Sequence, residues 1–117
     1  MRLNEIHYDE SKPIDGYGPG FFRVGGTVHK GTIVVTPQGV KPWGGFTDTQ
    51  SLLDLAETVD VVFVGTGADI AHLPSKFQNI LDKAGIGIES MSSPAACRTY
   101  NVLLSEGRRV AAALLPV

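Results

Sequence analysis

The sequence predicts an α/β fold in three layers: an N-terminal antiparallel β-meander followed by a β-α-β-α-β unit whose strands run parallel. Three observations predict it. Nine of the fourteen glycines and four of the seven prolines fall in the first 45 residues, where they punctuate short extended segments. After Trp43 the apolar period changes from two to 3.6. Two unbroken apolar runs, Val61 to Val64 and Val110 to Leu115, then bracket the helical pattern, as strands covered on both faces do.

The meander is read from Phe21 to Val24, Thr27 to His29, Thr32 to Thr36 and Val40 to Trp43, with Gly25-Gly26, Lys30-Gly31 and Pro37-Gln38-Gly39 as tight turns between them. Before it, Gly16-Tyr17-Gly18-Pro19-Gly20 reads as a loop too rich in glycine for packing alone. That loop could pin the meander or shape a dimerisation surface. Trp43 and the pair Phe21-Phe22 are expected in the core.

Thr47 and Gln50 have capping-box spacing, and Leu52, Leu55, Ala56 and Val59 form one helical stripe behind them. Asp60 to Gly65 follows as a strand. Pro74 or Ser75 opens a second helix with Phe77, Ile80, Leu81 and Ala84 on one side, and Gly85 stops it. Ile86 to Glu89 is a short strand. Ser93 is the expected N-cap of a third helix, with Pro94 at its first position. Ala96, Cys97, Tyr100, Leu103 and Leu104 line its buried side, Gly107 ends it, and Val110 to Leu115 is the last strand. Right-handed crossovers make the three strands of this half parallel. No repeat, linker or second domain interrupts residues 1–117, so one domain is expected.

Composition excludes several classes. Hydrophobic residues at 43% and charged residues at 19% mark a globular chain. Ten Lys and Arg against twelve Asp and Glu give a formal charge of −2, without the basic stripe that nucleic acid demands. The longest apolar run, Val110 to Val117, falls far short of the roughly 20 residues of a spanning helix. Met1 to Glu10 has neither signal-peptide nor transit-peptide character. A lone cysteine, Cys97, forbids an internal disulfide and suits a reducing compartment. The expected location is the cytoplasm.

No constellation identifies a reaction, and no catalytic residue is assigned. In open α/β sheets ligands bind beyond the carboxyl ends of the strands. Gly65 to Leu73 and Ser90 to Ser93 share that edge, and each feeds a helix N-terminus able to attract an anion. Gly65, Thr66 and Gly67 would let a ligand approach the backbone, and Ser92 and Ser93 add hydroxyls. The same residue types also serve simply as turns and caps. Gly65-x-Gly67 is no dinucleotide fingerprint, because the third glycine position is Ile70.

His7, His29 and His72 stand on separate segments without ligand spacing and read as surface or turn residues, so no metal or other cofactor is expected. Cys97 reads as a small core residue. Arg98, Val102 and Ser105 face away from the core, Thr99 and Asn101 flank the buried stripe, and Glu106, Arg108 and Arg109 cluster at the helix end. That face is either solvated or a recognition surface for a protein or an anion, with Arg98 and Asn101 as polar contacts.

Several stretches resemble one family: Ile14 to Gly18, Gly20-Phe21-Phe22-Arg23, His29-Lys30-Gly31, Gly65-Thr66-Gly67, and above all Cys97-Arg98-Thr99-Tyr100-Asn101 through Glu106-Gly107-Arg108-Arg109 to Ala112. It is the family of small bacterial and archaeal proteins related to mitochondrial complex I assembly factor 3. Where the family pattern has Thr-Gly, this chain has Ser93-Pro94, which keeps the hydroxyl. The resemblance implies a three-layer α/β domain with no assigned reaction and no known cofactor. It also implies a non-enzymatic accessory role, with a subunit or assembly protein of a respiratory NADH dehydrogenase as partner. The alternative expectation is a small-molecule binder or minor enzyme at the Gly65–Gly67 and Ser92–Ser93 edge. A third is a module that works as a homo-oligomer, paired through the outer strand of the meander.

Overall fold

The computed structural model describes residues 11–117. Among the described residues, eight strands form two sheets. A small antiparallel sheet contains β1 (Ile14–Gly18), β2 (Phe21–Val24) and β3 (Thr27–Lys30), in that order. The main sheet has the order β5 (Gly39–Pro42), β4 (Ile33–Thr36), β8 (Val110–Leu115), β6 (Val61–Thr66), β7 (Gly87–Met91). Strands β6, β7 and β8 are parallel, as the crossover rule requires, and β4 lies antiparallel to both β5 and β8. The helices are α1 (Gln50–Leu53), α2 (Ser75–Lys83) and α3 (Ser93–Ser105), with a 3₁₀ turn at Gly45–Thr47.

Alternation along the central strands builds the three layers. From β8, Val110, Ala112 and Leu114 enter one core, while Ala111 and Ala113 enter the other. The first core lies under α3 and the small sheet, with Ile14, Phe22, Val35, Phe63 and Tyr100. The second lies under α1 and α2, with Trp43, Leu52, Val62, Val64, Phe77 and Leu81. The three alanines of β8 are fully buried, so this strand presents little side-chain bulk to either helical layer.

The single meander divides. Its Gly25-Gly26 turn is a two-residue hairpin with φ of 55° and 84° at the glycines. Beyond Lys30, however, the chain leaves the small sheet, and β4 joins β8 instead. The reason lies in β4: Ile33, Val34 and Val35 are all buried, which requires cover on both faces. The glycine-rich segment before it is not a loop but strand β1. Gly18 has a packing reason after all, since a Cβ there would lie 2.5 Å from the Phe21 ring. Phe21 therefore lies on the outer face of the small sheet, and only its neighbour Phe22 reaches the core. His29 sits half-buried in mid-strand opposite Phe22 rather than in a turn.

The stripe from Leu52 to Val59 yields one helical turn and a run of turns, not a full helix. Leu52 and Val59 are buried, while Ala56 is exposed. The N-cap is Thr49 rather than Thr47, and its side chain makes no cap bond; instead Asp48 accepts from the Ser51 amide at 3.2 Å and from the Ser51 hydroxyl at 2.7 Å. In α2, Phe77 and Leu81 are buried and Ile80 half-buried, while Ala84, past the last turn, is exposed. Both α2 and α3 end in Schellman motifs at Gly85 and Gly107. The Ile86 amide returns to the Leu81 carbonyl at 3.1 Å, and the Arg108 amide to Leu103 at 3.0 Å.

Candidate functional site

The carboxyl ends of β6, β7 and β8 meet at one rim, and the two loops nominated from sequence lie side by side there. The N-cap of α3 is Ser92, one residue earlier than expected; its hydroxyl accepts from the Ala95 amide at 3.3 Å. Ser93 is thereby turned inward and fully buried. Its hydroxyl donates to the Leu115 carbonyl at 2.6 Å and accepts from the Gly67 amide at 2.9 Å. Its own amide donates to the Gly67 carbonyl at 2.7 Å. Ser93 thus ties together the ends of β6 and β8 and the start of α3.

The glycines serve this closure. A Cβ on Gly65 would fall 2.6 Å from the Ser93 hydroxyl and 2.9 Å from Leu114, so only glycine lets α3 settle on β6. Gly67 has φ of 98°, in the left-handed region. The Thr66 hydroxyl donates to the Asp69 carbonyl at 2.6 Å, lies 3.2 Å from that of Met91, and accepts from the Ala71 amide at 3.0 Å.

The first turn of α3 consequently offers no unpaired amide. Ser93 donates to Gly67, Pro94 has no N–H, Ala95 donates to Ser92, and Ala96 donates to the Ser92 carbonyl at 2.9 Å. A helix start binds anions through its orphan donors, and here those donors are taken.

Arg98 and Asn101 do not join this rim. Arg98 is exposed on the outer side of α3 with Val102 and Ser105. Asn101 turns toward β1, where its side-chain oxygen accepts from the Ile14 amide at 2.8 Å and its side-chain nitrogen donates to the Ile14 carbonyl at 2.8 Å. It occupies the place a neighbouring strand would take and so covers that edge of the small sheet.

Asn101 also borders a groove of about 640 Å³ at the C-terminal end of α3, with Pro13, Gln38, Leu104, Arg108 and Arg109. Arg109 is engaged there: it reaches the Asp60 carboxylate at 2.6 Å and the Glu57 carbonyl at 3.3 Å. That contact with Arg109 holds the Asp60 carboxyl below its ordinary range. Sequence patterning does not find this groove, because Pro13, Gln38 and Leu104 come from three distant segments that only the tertiary fold assembles.

The remaining polar core groups are inert. Burial pushes the Cys97 thiol up to about 11, so it is no nucleophile near neutrality. Burial raises the Tyr100 phenol as well, and among the described residues its hydroxyl has no hydrogen-bond partner. No three His, Cys, Asp or Glu side chains cluster as a metal site among the described residues, and no helix there is long and apolar enough to cross a membrane. His7 lies outside the described residues.

Comparison with known proteins adds kinship. The family described as "Protein of unknown function (DUF498/DUF598)" matches residues 14–115. An uncharacterized protein of Rhodobacter capsulatus is 55% identical over 117 residues, covering 100% of this chain and 94% of that one. The Danio rerio protein named NADH dehydrogenase [ubiquinone] 1 alpha subcomplex assembly factor 3 is 36% identical over 110 residues, covering 88% of this chain. This chain spans 63% of the length of that relative. Among solved structures, one described as an outer membrane protein from Bartonella henselae superposes with a TM-score of 0.81 at 36% identity, covering 89% of this chain and 93% of that one.

Proposed function

Because the chain belongs to the family described as "Protein of unknown function (DUF498/DUF598)", we propose that it is a non-enzymatic accessory protein. In this reading it acts as a single cytoplasmic domain and binds a subunit or assembly protein of a respiratory NADH dehydrogenase. The observation that carries the reading is the 36% identity to assembly factor 3 of Danio rerio over 88% of this chain. The chemistry of the rim is consistent with it. Donors that would hold a small anion at the rim are bonded within the chain.

The test is replacement. Human cells lacking their own assembly factor 3 would receive this chain fused to a mitochondrial targeting peptide, and assembled complex I would be read on native gels. Restored complex I, with a complex I subunit co-purifying with the chain, is the expected result. An expressed, imported, folded chain that restores nothing and retains no such subunit would refute the role.

A second reading places a small anion or polar metabolite at Gly65, Thr66, Gly67, Ser92 and Ser93, without Arg98 and Asn101, which lie away from that rim. Its support is the meeting of the two loops at one rim. Ligand at 100 times Kd stabilises a protein by about 2.7 kcal/mol, a visible melting shift. A metabolite screen without such a shift removes this reading.

A further inference from the structure

Each sheet has two edges, and among the described residues three of the four are closed to an acidic strand. The free side of β1 is occupied by the Asn101 amide. The free side of β5 is blunted by Pro42, which has no N–H to offer. On the free side of β7, Glu89 supplies a charge of the kind that discourages edge pairing. Strand β3 carries a charge of the opposite sign, Lys30, and among the described residues neither a proline nor a side-chain amide occupies its free side.

The polarity of β3 follows from its turn. In a hairpin with a two-residue loop, the residues flanking the loop exchange hydrogen bonds, so Val24 pairs with Thr27 in this way and Phe22 with His29. The Gly31 amide, 2.9 Å from the Gly20 carbonyl, continues the same parity. Val28 and Lys30 therefore belong to the other kind of pair, and their N–H and C=O groups point away from β2. Val28 is itself 48% exposed.

The side chains around this edge share one character. On the outer face, Phe21, Arg23, Val28 and Lys30 border a groove of about 460 Å³. On the inner side, a groove of about 290 Å³ separates β3 from β5, with Val40 and Lys41 on its far wall. No carboxylate borders either groove among the described residues; Asp15 lies at the hairpin end, where it accepts from the Gly26 amide at 2.8 Å.

From this edge we infer that β3 accepts an extended, acidic segment of a partner protein as a fourth strand of the small sheet. Backbone groups of Val28 and Lys30 make the main-chain bonds. Alternate residues of the guest face opposite ways: carboxylates toward Lys30 and Arg23, aliphatic side chains toward Val40. A second copy of this chain fits poorly, because pairing β3 with β3 would bring the two Lys30 side chains onto one face of the joined sheet. The inference rests on the accessory role proposed above and names its surface.

The test uses the full chain labelled with ¹⁵N and a blocked peptide of alternating Glu and Val, about seven residues long. Binding should shift the Val28 and Lys30 amides and slow their exchange with D₂O. A peptide N-methylated on the amides that meet the edge should not bind, and neither should an alternating Lys and Val peptide. Lys30→Glu, a change at an exposed site, should weaken binding about tenfold. Val28→Pro should abolish it. Shifts confined to other surfaces, equal binding of the Lys peptide, or indifference to N-methylation would overturn the inference. So would a concentration-dependent dimer that protects the same amides.

The two proposals fail separately. Complex I restored by a chain carrying both Val28→Pro and Lys30→Glu sinks the edge and leaves the accessory role. Peptide pairing at β3 by a chain that restores no complex I sinks the role and leaves the edge.

Discussion

Asn101 holds Ile14 by both of its backbone groups, each at 2.8 Å, across 87 positions of sequence. Both donor and acceptor of the amide are used, so the pair ties the small sheet to α3 in one register. Replacing Asn101 by alanine leaves two half-buried backbone groups without partners. The expected loss is about 2 kcal/mol in urea unfolding. Amide exchange in β1 and β2 should accelerate before that in the main sheet, because the link being cut joins the two.

Gly65→Ala should be costly for a different reason. The new methyl would meet Ser93 and Leu114 at under 3.0 Å, where neither the α3 backbone nor a packed strand can give way easily. Overpacking of this kind costs about 2 kcal/mol. Ser93→Ala removes no volume that matters but strands the Gly67 amide and the Leu115 carbonyl, and should cost about as much. Thermal melts of both variants check this.

Tyr100→Phe should go the other way. The hydroxyl is buried without a partner among the described residues, and its removal is expected to raise stability by about 1 kcal/mol. For a chain of this size that is a gain of roughly 5 °C in Tm. A loss on removing the hydroxyl would mean that it has a partner or a purpose.

Cys97 contributes to the loss of stability at alkaline pH. Its pKa is raised in the folded state by burial, so the native chain holds the proton where the unfolded chain has released it. Stability is therefore intact below the ordinary thiol range near 9 and declines as pH rises toward about 11. Cys97→Ala should flatten that decline. In the native protein at pH 8, thiol reagents should label Cys97 only at the rate of opening.

Asp48 acts at the acid end. The Ser51 hydroxyl and then the Gly44 and Ser51 amides hold its carboxyl below the usual carboxylate value. This contribution is present above the unfolded pKa near 4 and is lost as pH falls through the lower folded value. Asp48→Asn should reduce the acid sensitivity, and Asp48→Ala should cost about 1 kcal/mol at neutral pH through the lost hydrogen bonds to Gly44 and Ser51.

Where burial on both faces dictated the residue types, the architecture could be read directly. Val61 to Val64 and Val110 to Leu115 announce central strands, and their spacing about two helical patterns yields the parallel order that β6, β7 and β8 adopt. Strand β1 escapes such reading because Gly16 and Gly18 carry the composition of a loop; their work is to make room under Arg23 and Phe21, partners visible only once the sheet is formed. The stripe at Leu52, Leu55, Ala56 and Val59 has helical period but too little to bury on it, so tertiary packing keeps one turn and bends the rest.

The candidate site shows the same division. That Gly65 to Gly67 and Ser92-Ser93 come together follows from topology alone. A shift of one residue in the cap, from Ser93 to Ser92, then decides whether the second serine faces solvent or the interior. Local preference does not separate two adjacent serines. The geometry of Gly65 does, since the helix can approach only with Ser93 turned inward. Likewise the open side of β3 depends on hydrogen-bond parity, which a string of residues conceals until the hairpin turn is known.

The place of β8 in the middle of the main sheet has a consequence for biosynthesis. A ribosome delivers β4 and β6 long before residues 110–115, yet in the main sheet these two strands are joined by hydrogen bonds only through that segment. Until it emerges, both present bare inner flanks, and the nascent chain depends on whatever shields them. The structure closes like a book whose spine is printed last.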